Sequence, residues 1–131
     1  MFRVGDSIIV NQKREKLIDL DSLPYPNYSV CDKRELLTSY HITTSRGCPY
    51  KCTYCAVPMI NGRRWGFRSV ENIVDDIRSA EKEFDRFSII DDTFTQDISR
   101  AKRFCAEYIK SGIKLIWGLP YGVRADKLDE D

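Results

Sequence analysis

Cys48, Cys52 and Cys55 fall in the run Gly47-Cys48-Pro49-Tyr50-Lys51-Cys52-Thr53-Tyr54-Cys55, a C-x3-C-x2-C spacing with an aromatic residue before the last sulfur. Thiolates suit zinc and iron–sulfur clusters. A structural zinc site takes four ligands, commonly as two close pairs. Here three cysteines are near one another, with His41 or Cys31 as candidates for a fourth ligand. A ferredoxin-like electron carrier needs a fourth cysteine at short spacing, which this stretch lacks. Three thiolates can instead hold a cluster on three corners and leave the fourth iron open to a reactive ligand. The spacing favours that open site over zinc, and zinc over chance clustering.

Composition narrows the setting. A chain of 131 residues is long enough for one modest domain with a real core. Its 21 Lys+Arg against 20 Asp+Glu give no global field toward nucleic acid or a membrane. The apolar runs are far too short to span a bilayer, and Met1-Phe2-Arg3-Val4-Gly5-Asp6 lacks an export pattern. The chain therefore reads as cytoplasmic, where its five cysteines stay reduced. Cys105 falls on the apolar face of a predicted helix and reads as core packing. Cys31 follows a turn-rich segment, and its role stays open.

Residues 1–18 read as the tail of a preceding domain. Ser7-Ile8-Ile9-Val10 has strand composition, and Asn11-Gln12-Lys13-Arg14 suits a turn. Residues 19–40 read as a linker, because Pro24 and Pro26, with interleaved Tyr25 and Tyr28, cannot continue a helix or a central strand. The linker is expected to pack on a neighbouring domain.

Residues 41–131 alternate. His41-Ile42-Thr43-Thr44-Ser45 is a predicted strand, and the cysteine loop follows to about Phe67. Ser69 is a good N-cap, and apolar residues from Val70 to Phe84 recur at helical spacing. Phe87-Ser88-Ile89-Ile90-Asp91 is the next strand. Asp97 caps a second helix with Ile98, Ala101, Phe104, Cys105, Tyr108 and Ile109 on its inner face, and Gly112 ends it. Lys114-Leu115-Ile116-Trp117-Gly118 is a third strand, with Trp117 expected in a barrel interior. Lys127-Leu128-Asp129-Glu130-Asp131 looks like the start of another helix. This alternation gives a parallel sheet with crossover helices. A closed eight-unit barrel needs about 250 residues. The chain therefore reads as an α/β partial barrel, truncated after about three strands. Such a piece leaves sheet edges unpaired and is expected to be poorly stable alone.

In parallel α/β sheets, ligands sit at the carboxyl ends of the strands. The cysteine loop, Asp91-Asp92-Thr93-Phe94-Thr95 and the segment from Gly118 to Arg124 all leave such ends, so three unusual segments are expected on one rim. Asn61-Gly62-Arg63-Arg64-Trp65-Gly66-Phe67-Arg68 is basic with interleaved aromatics, a composition compatible with RNA contact. The preferred reading is a loop closing over a cluster, with Trp65 and Phe67 buried and Lys51 and the arginines offsetting cluster charge.

The cysteine run, with Tyr54 in its aromatic slot, resembles the signature of radical S-adenosylmethionine (SAM) enzymes. Thr44-Ser45-Arg46-Gly47-Cys48-Pro49, Phe67-Arg68-Ser69-Val70-Glu71-Asn72, Asp91-Asp92-Thr93-Phe94 and Asp19-Leu20-Asp21-Ser22-Leu23-Pro24-Tyr25-Pro26 are similar to the cobalamin-dependent branch. The resemblance implies that Cys48, Cys52 and Cys55 bind a 4Fe–4S cluster whose fourth iron chelates SAM. Reductive cleavage then makes a 5′-deoxyadenosyl radical. It implies that Tyr54 packs near adenine and that Asp91-Asp92-Thr93 is a cofactor-contacting segment in place of the glycine-rich stretch many superfamily members carry after the second strand, with either carboxylate able to accept a hydrogen bond from the methionine ammonium. The acids alone could equally begin a loop or cap a helix. Arg124 is expected to pair with the cofactor carboxylate, or else to be a solvated surface arginine. Cobalamin, a small-molecule or lipid-like substrate, and an electron donor such as flavodoxin or ferredoxin are further implied partners. Methyl transfer, cyclisation and rearrangement are the implied outcomes. A tRNA methylthiotransferase-like enzyme and a non-catalytic zinc or iron–sulfur module are the competing readings.

Overall fold

The computed structural model describes residues 1–12, 19–31 and 38–129. Its centre is a parallel sheet of β3 (Tyr40–Ile42), β6 (Arg86–Ile89) and β7 (Ile116–Gly118), in the spatial order β3-β6-β7. Helices α2 (Val70–Ala80) and α3 (Ile98–Ser111) lie in the crossovers and pack on each other. The order never reverses, so both helices cover the same sheet face. This is the opening part of a (β/α) barrel rather than a doubly wound sheet.

Side-chain parity explains the layers. Successive strand residues point to opposite faces. Tyr40, Phe87 and Trp117 share one row of the register, and Ile42 pairs with Ile89. These residues meet Val70, Ile73 and Ile77 of α2 and Phe104 and Tyr108 of α3 in one core. Trp117 stacks on Phe87 with ring centroids 5.9 Å apart and meets Phe104 edge-on at 5.5 Å. It therefore faces the helices, and the expectation of a barrel-interior tryptophan is corrected. His41, Ser88 and Gly118 share the next row of the register, on the opposite face. His41 is exposed there.

The caps follow the sequence. Ser69 accepts from the N–H of Asn72, and Asp97 from that of Arg100. Gly112 ends α3 in the left-handed conformation at φ 73°. A methyl added there meets nothing within 4 Å, so its cost is conformational alone. Gly112→Ala is expected to lower stability by about 1 kcal/mol, read as a shift of the urea midpoint at unchanged slope.

The regular part of α2 stops at Ala80 rather than Phe84, and a turn through the polar Glu81-Lys82-Glu83 carries the chain on. Phe84 still packs, against Tyr28 and Tyr40. On α3, Ile109 is 79% exposed, whereas Arg100 is buried. The inner face is thus turned about the helix axis to Arg100, Ala101, Phe104 and Tyr108, and Arg100 binds backbone carbonyls there.

The proline-rich linker packs along α2. Leu20 is buried, and the Asp21 carboxylate accepts from the Ser69 N–H at 2.9 Å. Tyr28 packs edge-on to Tyr40 at 5.2 Å, at the other end of the helix. Ahead of it, β1 (Phe2–Val4) and β2 (Ser7–Ile9) form an antiparallel hairpin turning at Gly5-Asp6, with every residue exposed. The turn expected at Asn11-Gln12-Lys13-Arg14 lies partly outside the described residues. So do the terminal acids Glu130 and Asp131. Ala125–Lys127 is a single 3-10 turn and Leu128 is extended, so among the described residues of this tail no α-helix is present. Among the described residues, no helix is long and apolar enough to cross a membrane.

Candidate metal and cofactor site

The cysteine segment is closed at its base. Strand β4 (Ser45–Arg46) pairs antiparallel with β5 (Gly66–Phe67), and the N–H of Arg68 donates to the Thr44 carbonyl at 2.9 Å. One step further in, the Cys48 N–H donates to Gly62 at 3.2 Å. Gly47 has φ +87°, and a Cβ there would sit 2.3 Å from the Arg64 carbonyl oxygen. Only glycine fits this close approach. Short α1 (Val57–Ile60), with proline in its first turn, follows the last cysteine. This ribbon was not foreseen; its strands are too short for a period-2 pattern.

Cys48, Cys52 and Cys55 are each half-buried free thiols, and the Cys55 N–H turns back onto the Cys52 carbonyl at 3.3 Å. Among the described residues, no three Cys, His, Asp or Glu side chains are gathered tightly enough to chelate a single ion. A cube of four irons needs its thiolates spread around several metals, and three partly accessible thiols on one loop fit that donor set.

The other expected site residues distribute unevenly. Asp91 is buried and accepts from the Thr44 N–H (2.6 Å), the Thr44 hydroxyl (2.6 Å) and the Ser45 hydroxyl (2.7 Å). Both its oxygens are committed to the exit of β3. Asp92 accepts from the Gly47 N–H at 2.9 Å and from Asn61 Nδ2 at 2.8 Å. Neither acid caps the following helix, which Asp97 does. Thr93 is buried beside them. Tyr54 is 91% exposed, with its ring in solvent.

Arg124, in the segment after β7, does reach the cysteine segment. Its guanidinium carbon lies 3.9 Å from the centroid of the Tyr50 ring. Two hydrogen bonds to Asp126, at 2.9 and 2.7 Å, orient it. The Asp126 hydrogen bond holds its pKa above the usual arginine value, and Tyr50 and Cys52 act in the same direction. On the other side, Arg63 donates to the Tyr50 carbonyl at 2.9 Å. The three strand-end segments therefore meet, as their topology required.

The basic-aromatic stretch behaves differently from expectation. Trp65 and Phe67 pack with tilted rings 4.8 Å apart, but Phe67 is 52% exposed. Their rings cover the buried guanidinium of Arg100, 5.9 and 5.5 Å away. Arg100 donates to the Thr44 carbonyl at 2.9 Å. Burial lowers its pKa, and Asp91 partly offsets this. Arg68 turns inward and pairs with the fully buried Asp76 at 2.7 Å, so it does not offset cluster charge. Tyr50, Asn61, Asp76 and Arg100 were missed as supports of the site. Most of their partners lie far away in sequence, and the one local signal was a charged residue on an otherwise apolar helix face.

The same segments carry the likeness to known proteins. A family model described as the radical SAM superfamily matches residues 42–129. An uncharacterized methyltransferase of Pyrococcus horikoshii is 27% identical over 79% of this chain and 24% of its own length. The cytidylyl-2-hydroxyethylphosphonate methyltransferase of Streptomyces wedmorensis is 32% identical over 67% of this chain and 16% of its own. The solved structure of TsrM, a radical SAM methyltransferase from Kitasatospora setae with cobalamin and a 4Fe–4S cluster bound, superposes with a TM-score of 0.53. It is 28% identical, over 56% of this chain and 13% of that one. The chain thus spans a quarter or less of each relative. The family match contains the cysteine segment, both long helices and the acids that tie the segment down, and on it this chain belongs to the radical SAM superfamily, whose members use a 4Fe–4S cluster and SAM.

Proposed function

We propose that this chain is the cluster-binding part of a cobalamin-dependent radical SAM enzyme that transfers a methyl group to, or cyclises or rearranges, a small-molecule or lipid-like substrate. The observation that supports this most is the set of three half-buried thiols on a segment held between Asp92 and Arg124, at the carboxyl ends of parallel strands. In this reading residues 1–18 are the tail of a cobalamin-binding domain, 19–40 are its connector, and 41–131 open the barrel.

Cys48, Cys52 and Cys55 hold the cluster. Bound by these thiols and reduced by an external donor such as flavodoxin or ferredoxin, a cluster would supply the one-electron reduction that cleaves SAM. The chain's own residues set the stage. Asp91 fixes the exit of β3 so that the segment leaves toward the rim, and it positions rather than contacts the cofactor. Tyr54 offers an unoccupied ring face to adenine. Asp92 and Thr93 line the rim at the end of β6. Arg124 keeps Tyr50 in place and stands ready for a carboxylate by exchanging its Asp126 partner. The setting is the cytoplasm, where the thiols stay reduced.

The test is anaerobic reconstitution with iron and sulfide, then incubation with SAM under strong reduction. About four irons and four sulfides per chain are expected, with release of 5′-deoxyadenosine. One bound zinc and no iron uptake would instead identify a non-catalytic module.

A further inference from the structure

Asp92 stands at the carboxyl end of β6, yet its carboxylate is engaged by the cysteine segment. Its Oδ2 accepts from both Gly47 N–H and Asn61 Nδ2. Gly47 and Asn61 bracket Cys48, Cys52 and Cys55 in the chain. A single oxygen thus bridges the two ends of the ligand-bearing segment, next to the Cys48–Gly62 backbone bond. Both bonds are to a carboxylate acceptor, and such bonds are stronger than neutral ones. The need for a bridge is physical. A segment with unfixed ends samples many separations of its sulfurs before iron binds.

We infer that Asp92 is a positioning residue for cluster assembly: by joining Gly47 to Asn61 it sets the cysteine segment in place before iron binds. This rests on the reading of the cysteines as cluster ligands and extends it to a residue that is not a ligand. Asp91 does not share the role, since its donors all lie at Thr44 and Ser45, before the segment begins.

The test compares the full chain with its Asp92→Ala, Asp92→Asn and Asn61→Ala variants. The first readout uses iron-free protein and limited trypsin digestion. Lys51, Arg63 and Arg64 are exposed sites inside or just after the segment, and Lys82 is an exposed site in the turn after α2. Asp92→Ala is expected to be cut at the segment sites roughly tenfold faster, the effect of losing hydrogen bonds to a charged group. Cutting at Lys82 should not change. Asp92→Asn keeps an oxygen acceptor and should stay within about threefold of the parent, as expected when a neutral bond replaces a charge-assisted one. Asn61→Ala should give part of the effect and add nothing on top of Asp92→Ala, because both remove the same bridge. The second readout is the rate at which the visible absorption of the cluster grows during reconstitution, expected to fall roughly tenfold in Asp92→Ala.

Equal cutting of parent and Asp92→Ala at the segment sites would overturn the inference. So would faster cutting at Lys82 to the same degree, which would mean general loosening. A parent chain that binds no iron would sink the cluster reading alone, because the trypsin comparison needs no iron. A parent and an Asp92→Ala variant that load at the same rate would sink the positioning role alone.

Discussion

Cys52→Ala is expected to abolish cluster binding while leaving the fold in place. Two thiolates then remain on the segment, too few to hold three corners of a cube. No other cysteine is placed to substitute. Cys105 lies on α3, flanking the core, and burial pushes its thiol pKa up, which disfavours the thiolate. Cys31 follows Tyr28, which packs on Tyr40 at the amino end of β3, whereas the cysteine segment leaves the carboxyl end. Cys52 itself is half-buried and outside the hydrophobic core. Its truncation should therefore change stability by about 0.5 kcal/mol or less, as for surface substitutions away from special features. Iron and sulfide analysis with the visible spectrum reads the first effect, and a urea titration of the iron-free protein reads the second. Iron content equal to the parent's would refute the ligand assignment. A large stability loss would show that the segment supports the fold as well.

The largest expected effect on stability comes from Arg68→Met. Asp76 lies on α2 with its side chain fully buried. It is held by Arg68 Nη1 at 2.7 Å and by the Tyr40 hydroxyl at 2.5 Å. Burial, reinforced by this bond to Asp76, pushes the Tyr40 phenol well above its ordinary range, so Tyr40 stays a donor at any working pH. Arg68 also donates to Asn72 at 2.7 Å and lies over the Tyr25 ring of the linker at 5.5 Å. Removing the guanidinium leaves a buried carboxylate with one neutral donor. Breaking a buried pair from one side costs about 3–5 kcal/mol, a large share of the 5–15 kcal/mol that holds a typical domain together. Among the described residues, nothing pairs with the outer edges of this small sheet, and Ile116 is largely exposed, so Arg68→Met is expected to leave much of the chain unfolded at 25 °C by circular dichroism. The double variant Arg68→Met, Asp76→Leu should recover much of the loss, because the orphaned charge is gone. A single variant whose unfolding free energy from urea titration falls by less than about 1 kcal/mol would mean that water or another donor reaches Asp76.

The two variants separate two kinds of information. The local sequence names the candidate ligands of the cysteine segment, since three sulfurs at short spacing are a local fact that folding does not rewrite. It also determined the order of strands and helices and the caps at Ser69, Asp97 and Gly112, because periodicity and capping act within a few residues along the chain. Tertiary structure alone decided what those elements face. Trp117 belongs to the helix side because the register sets it beside Phe87, and parity within a strand carries no label for inside or outside. Asp91 and Asp92 were legible as acids at a strand end, but their donors lie 46 or 47 and 31 or 45 residues away. Arg68 read as one more cation in a basic loop until packing against α2 turned it toward Asp76. Ligand chemistry is written in residue types at close range. The direction of a carboxylate or a guanidinium is fixed by partners that only the folded chain brings within 3 Å, as bond lengths of 2.7–2.9 Å at Asp76 and Asp92 show.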